Sequence, residues 1–259
     1  MVLKLMKYDM RSNLRTLMPI WIAIVFMSVL YGITQGSKTP SGTFAHFLLL
    51  VLPVIILTLL LGISFAIAVV NMVRNFWNGL LGNEGYLMFT LPVTVDALLL
   101  SKALSALLIE LMTLAVAFVS GGILAAFMVS WESFFIEFRN LWGIFWRGIE
   151  AHPNVVPTVF IFCVGILLWI LNLNLHTYLA CAIGHMAKKL RKLLAIIAFC
   201  SLSIATSYCI PRIVGELDAL LNMSEPLVAS AVFAAIPLLF NVLFFFLTRS
   251  ILAHRLNLE

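Results

Sequence analysis

Six apolar runs, at residues 17–34, 44–72, 103–128, 155–184, 193–210 and 226–248, set the limits on what this chain can become. Each is close to or above the roughly 20 residues with which a helix crosses a hydrocarbon layer ~30 Å thick. Lipid offers no partner to backbone N–H and C=O groups, so runs of this kind read as helices that satisfy their own backbone. The expected fold is therefore all-α: an integral membrane protein with six transmembrane helices forming one domain over residues 1–259. With 63% hydrophobic and 10% charged residues, the chain lies far from the roughly 25% charged content of soluble domains, and little is left between the runs for a second domain.

The ends of the runs carry the charge. Residues 1–16 have Leu3, Met6, Met10 and Leu14 at helical spacing, continued by Leu17, with Lys4, Lys7, Arg11 and Arg15 as a neighbouring basic stripe. That pattern predicts an amphipathic helix in the headgroup layer of an anionic leaflet, ahead of a retained first span. With the N-terminus inside, twelve of the sixteen lysines and arginines fall on the inner side, and Lys38, Arg139, Arg147 and Arg212 fall outside. The positive-inside rule then places both termini in the cytoplasm. A nucleic-acid partner is excluded, because the basic residues sit at the ends of apolar runs and not on a solvated face interleaved with aromatics.

Residues 73–102 form the long polar interruption between two very apolar runs. The stretch opens with Arg74, carries the turn-prone pairs Asn78-Gly79, Gly82-Asn83 and Glu84-Gly85, breaks at Pro92 and re-enters an apolar helix beyond Asp96. The run Glu84-Gly85-Tyr86-Leu87, followed by Thr90-Leu91-Pro92-Val93-Thr94 and Leu100-Ser101-Lys102, resembles the cytoplasmic loop of bacterial type-2 ATP-binding-cassette (ABC) permeases of the small six-span kind. The resemblance implies a permease domain with an N-terminal elbow helix and a coupling helix between the second and third spans. It also implies partners: a separate ATP-binding cassette subunit, which holds the ATP and Mg, and a second permease copy or paralogue. On that reading Asn75, Phe76, Trp77, Leu80, Leu81 and Glu84 are candidates for the ATPase contact. Tyr86 and Phe89 would brace the loop, and Pro92 would set its return angle. One departure from the family pattern is that the large outer segment follows the third span, while residues 212–225 between the fifth and sixth are short.

That outer segment, residues 131–150, repeats Trp131, Phe134, Phe135, Phe138, Leu141, Trp142, Phe145, Trp146 and Ile149 at intervals of three and four, with Glu132, Glu137, Arg139, Asn140, Arg147 and Glu150 between them. The expectation is an amphipathic helix on the outer membrane interface. Inside the bilayer, Glu110 on the third span and Asn172, Asn174 and His176 on the fourth are candidate substrate-pathway residues, since lipid makes polar groups costly. Glu110 and His176 reach a similar depth and are expected to approach each other.

Chemistry of its own is missing from the chain. No GxxxxGK[ST] phosphate loop, His-Glu-x-x-His pair or GxSxG elbow occurs, and Cys163, Cys181, Cys200 and Cys209 match no metal or redox spacing. The expectation is a non-enzymatic transport subunit of a bacterial cell membrane with no cofactor bound by this chain. It would export an amphiphile such as a peptide, antibiotic or lipid, with membrane lipids as further partners. Two alternatives are a secondary carrier or channel working without ATP, and an immunity or sensor subunit that does not transport.

Overall fold

The computed structural model describes residues 2–35, 44, 47–82, 93–129, 131–152, 154–187, 189–221 and 223–254. Seven α-helices follow one another among them: α1 Val2–Gln35, α2 Leu52–Phe76, α3 Val95–Val129, α4 Trp131–Ala151, α5 Val155–His185, α6 Arg191–Leu221 and α7 Pro226–His254. Single π-helical turns, Phe47–Val51 and Trp77–Leu81, flank α2. Six of the segments are long and apolar enough to cross a membrane: Leu3–Thr34, Leu52–Leu81, Val95–Phe127, Val155–His185, Arg191–Leu221 and Pro226–Ala253. The chain is thus an all-helical, multi-pass membrane protein.

The helices overrun the apolar runs that mark them. Hydropathy locates the hydrocarbon layer, whereas a helix continues until its backbone is capped or broken. No break separates residues 1–16 from the first span, because α1 is one helix over Val2–Gln35, with Pro19 inside it. At the third span the apolar run starts at residue 103 and the helix is expected beyond Asp96; α3 begins at Val95, behind an N-cap. The Thr94 hydroxyl accepts from the Ala97 amide at 3.3 Å, and the Thr94 carbonyl accepts from the Leu98 amide at 3.2 Å. Asp96 in the first turn favours the positive end of the helix dipole. The fifth span likewise runs on through Pro211 to Leu221.

The chain divides into two compact units. One comprises Met10–Asn71 and Leu108–Glu150, centred on Leu17, Trp21, Ile24, Ala68 and Ile109, with the Phe127 ring against the bare backbone of Gly32. The other comprises Met1–Asp9, Met72–Leu107 and Ala151–Glu259. Here α5 and α7 pack closely: a Cβ on Gly165 would meet the Phe233 ring at 2.6 Å, and the Phe162 and Phe233 rings stack at 5.0 Å. Helix α6 closes on α5 at Gly184, where a Cβ would lie 2.5 Å from the Ala195 backbone. Small residues of this kind let membrane helices gain dispersion contact where no hydrophobic force draws them together.

Hydroxyls within the spans turn back on their own helix. Ser28 donates to the Val25 carbonyl at 2.7 Å, Thr113 to Ile109 at 2.8 Å, Thr177 to Leu173 at 2.7 Å and Thr248 to Phe244 at 2.7 Å. Each bond satisfies a polar group in apolar surroundings at little cost to the helix.

Candidate functional site at the roots of the polar loop

Residues 83–92, and with them Glu84, Tyr86, Phe89 and Pro92, lie outside the described residues. The structure does describe the two roots from which that segment departs. Both roots, together with the start of α1 and the ends of α5 and α7, pack into one apolar cluster. Its buried members include Met72, Phe76, Leu80, Leu81, Leu98, Leu99, Ala103, Tyr178, Leu179 and Leu252, with Leu5 of α1 packed against them.

Phe76 is fully buried and lies flat on Tyr178, with ring centroids 4.2 Å apart and planes within 9°. The Tyr178 hydroxyl, equally buried, donates to the Lys102 carbonyl at 3.2 Å, which fixes the fourth span to the third. Lys102 then turns its side chain the other way. Its Nζ donates to Asp9 Oδ1 at 2.7 Å, with the two side chains 6% and 16% exposed. Gly79, in the π turn, leaves the clearance for this: a Cβ there would stand 3.0 Å from Nζ. A buried ammonium is tolerable only with such a partner, because the desolvation cost of one uncompensated ion is several kcal/mol.

Two further contacts brace the rim. Trp77 meets the His185 ring edge-on at 5.8 Å. Arg191 Nη1 lies 3.4 Å from His185 Nε2, and since a guanidinium can only donate, that nitrogen accepts. At the third-span root, Arg249 Nε reaches Asp96 Oδ1 at 2.6 Å. Both of those side chains are more than a third exposed, so the pair contributes only about 0–1 kcal/mol.

The described candidates of this stretch lie at different depths. Phe76, Leu80 and Leu81, expected on the surface that meets an ATPase, are 0%, 1% and 3% exposed. All three pack inward, in the apolar cluster that also holds Tyr178 and Leu98. Asn75 and Trp77 are half-buried, while Arg74 and Asn78 are the exposed members of this stretch. Asp9 was missed altogether. Its signal was present, since it is the only acid before Glu84 and sits among Lys4, Lys7, Arg11 and Arg15.

The second candidate cluster lies in the interior of α5. Asn172 Nδ2 donates to Asn241 Oδ1 on α7 at 3.1 Å, and Asn241 Nδ2 returns a bond to the Leu168 carbonyl at 3.0 Å. Asn174 is fully buried. His176 faces α6 and α7: its Nε2 lies 3.4 Å from both the Phe199 carbonyl and the Ser203 hydroxyl, and its ring contacts those of Phe199 and Phe244. Glu110, the partner expected for it, is half-buried on α3 in the other compact unit. Asn241 and Ser203 join this cluster without having been singled out, because a lone polar residue in an apolar run reveals nothing of what it faces. Among the described residues no group of three His, Cys, Asp or Glu side chains is placed to hold a metal ion.

Compared with protein-family models, with curated proteins and with solved structures, the chain matches none.

Proposed function

We propose that the chain is the membrane-spanning permease subunit of an ABC transporter, an exporter of an amphiphilic substrate driven by ATP hydrolysis in a separate subunit. The sequence of residues 84–102 suggests this, and the rooting of that segment supports it. A loop that transmits force must be stiff where it joins the membrane domain. Here one root is held by Phe76, Leu80 and Leu81 and the other by Leu98, Leu99 and Lys102, all buried. A push on the loop from a closing ATPase would act on the second, third and fourth spans together through the Phe76–Tyr178–Lys102 contacts. The push shifts an equilibrium only if the ATPase contact differs in free energy between the closed and open states. On this reading both termini are cytoplasmic and helix α4 lies on the outer face of the membrane.

Purification of the tagged chain from its native membrane tests the proposal. An ATP-binding subunit comes down with it, and Glu84→Arg combined with Tyr86→Ala releases that subunit while the chain itself remains folded. If no ATP-binding subunit accompanies the unaltered chain, the reading is wrong. One observation favours a second reading, a carrier working without ATP: the polar seam of Asn172, Asn241, His176 and Ser203 inside the spans. Substrate movement by the purified chain alone in vesicles, with no nucleotide present, would select it.

A further inference from the structure

The turn between α5 and α6 sorts its charges by direction. Gly184 brings the helices together, and the Met186 and Ala187 amides bond back to the Ile183 and Gly184 carbonyls at 3.2 and 3.3 Å. Arg191 folds inward, its Nε donating to the Ala187 carbonyl at 3.2 Å and its Nη1 to His185. Lys189, Leu190 and Lys192 point outward and are exposed, Leu190 by 71%. Leu190 has φ 57°, the one positive value at a non-glycine among the described residues, which is disfavoured for a bulky side chain. An apolar tip is thus held out between two lysines. Exposed Leu193, Leu194, Ile196 and Ile197 continue it directly along the lipid-crossing wall of α6.

We propose that this turn docks the headgroup of an anionic membrane lipid, with Lys189 and Lys192 on the phosphate and Leu190 in the acyl boundary beneath it. The charge balance argues for an anionic occupant. The first turn of α6 has no acid, and the carboxylates Asp9 and Asp96 are taken by Lys102 and Arg249. Neither Lys189 nor Lys192 has an ion-pair partner among the described residues. Three cations within four residues repel one another, and an external anion relieves that repulsion. The apolar tip and its continuity with the α6 wall argue for a lipid as the source. Arg191 is the exception, its guanidinium being used to close the turn. The inference needs only that the six apolar helices lie in a bilayer and does not rest on the ATP-driven reading.

Electron paramagnetic resonance of nitroxide-labelled phosphatidylglycerol and phosphatidylcholine, with the full chain reconstituted in phosphatidylcholine bilayers, measures the preference directly. The unaltered chain retains labelled phosphatidylglycerol preferentially. Lys189→Gln with Lys192→Gln lowers that preference by roughly fivefold per lysine, and Lys189→Arg with Lys192→Arg keeps it. Leu190→Ser weakens retention of the labelled phosphatidylglycerol without removing a charge. Arg139→Gln with Arg147→Gln on α4, an equal loss of charge elsewhere, leaves the preference in place. An unchanged preference in the double lysine variant overturns the proposal, as does an equal loss in the α4 control. Displacement of the labelled lipid by millimolar inorganic phosphate, or protection of the turn by a copurifying protein, would assign the lysines to another occupant and overturns it too.

Discussion

Lys102 Nζ on α3 stands 2.7 Å from Asp9 Oδ1 on α1, both side chains largely withdrawn from solvent. Breaking the pair leaves a buried charge alone, which costs more than the intact pair contributes. Asp9→Asn should therefore destabilise the chain by about 3–5 kcal/mol in a denaturant titration in detergent. Asp9→Leu combined with Lys102→Met should recover most of that loss, since neither ion is then left behind. A double variant as unstable as Asp9→Asn would show that the pair does more than neutralise itself.

The buried root separates two kinds of effect. Phe76→Ala removes a fully buried ring from its stack on Tyr178 and should cost about 3–5 kcal/mol. Tyr178→Phe keeps the stack, loses the bond to the Lys102 carbonyl, and should cost about 1 kcal/mol. Glu84→Arg should leave the unfolding midpoint alone and act on partner retention. The three variants measured side by side distinguish support of the loop from contact through it.

Three glycines with different neighbours give a graded test. A Cβ on Gly184 meets the Ala195 backbone at 2.5 Å, one on Gly165 meets the Phe233 ring at 2.6 Å, and one on Gly62 meets nothing within 4 Å. A ring can swing aside and a backbone cannot. Gly184→Ala should be the most destabilising, at about 1–3 kcal/mol, with Gly165→Ala below it. Gly62→Ala should be neutral or stabilising by up to about 1 kcal/mol, since glycine is a poor helix former. The reverse ranking in thermal unfolding would contradict the described α5–α6 contact.

Asn172 and Asn241 join α5 to α7 through a side-chain bond of 3.1 Å. A double-mutant cycle with Asn172→Ala and Asn241→Ala should return a coupling of about 0.6 kcal/mol, and no more than about 1.7 kcal/mol. Zero coupling would mean that the two amides find other partners when separated.

The sequence disclosed the number of crossing helices, because about 20 successive apolar residues have few other uses. It also disclosed the α4 helix, whose nine apolar positions repeat at three and four residues. The start of α3 was legible, since Thr94 stands where a helix N-cap belongs. The helix expected beyond Asp96 begins at Val95, so the sequence marked this start to within two residues. Pairings distant along the chain were not legible. Lys102 and Asp9 are 93 residues apart, and nothing in either neighbourhood names the other. Phe76, Leu80 and Leu81 have the spacing of a binding face and of a core face alike, so only coordinates show that they point inward.

The internal bookkeeping of the span hydroxyls has a mechanical corollary. Because Ser28, Thr113 and Thr248 each settle their proton on a carbonyl one turn back, spinning any of those helices about its own long axis snaps none of these bonds. Asn172 and Asn241 behave as a rivet: rotation of α5 against α7 has to shear it first.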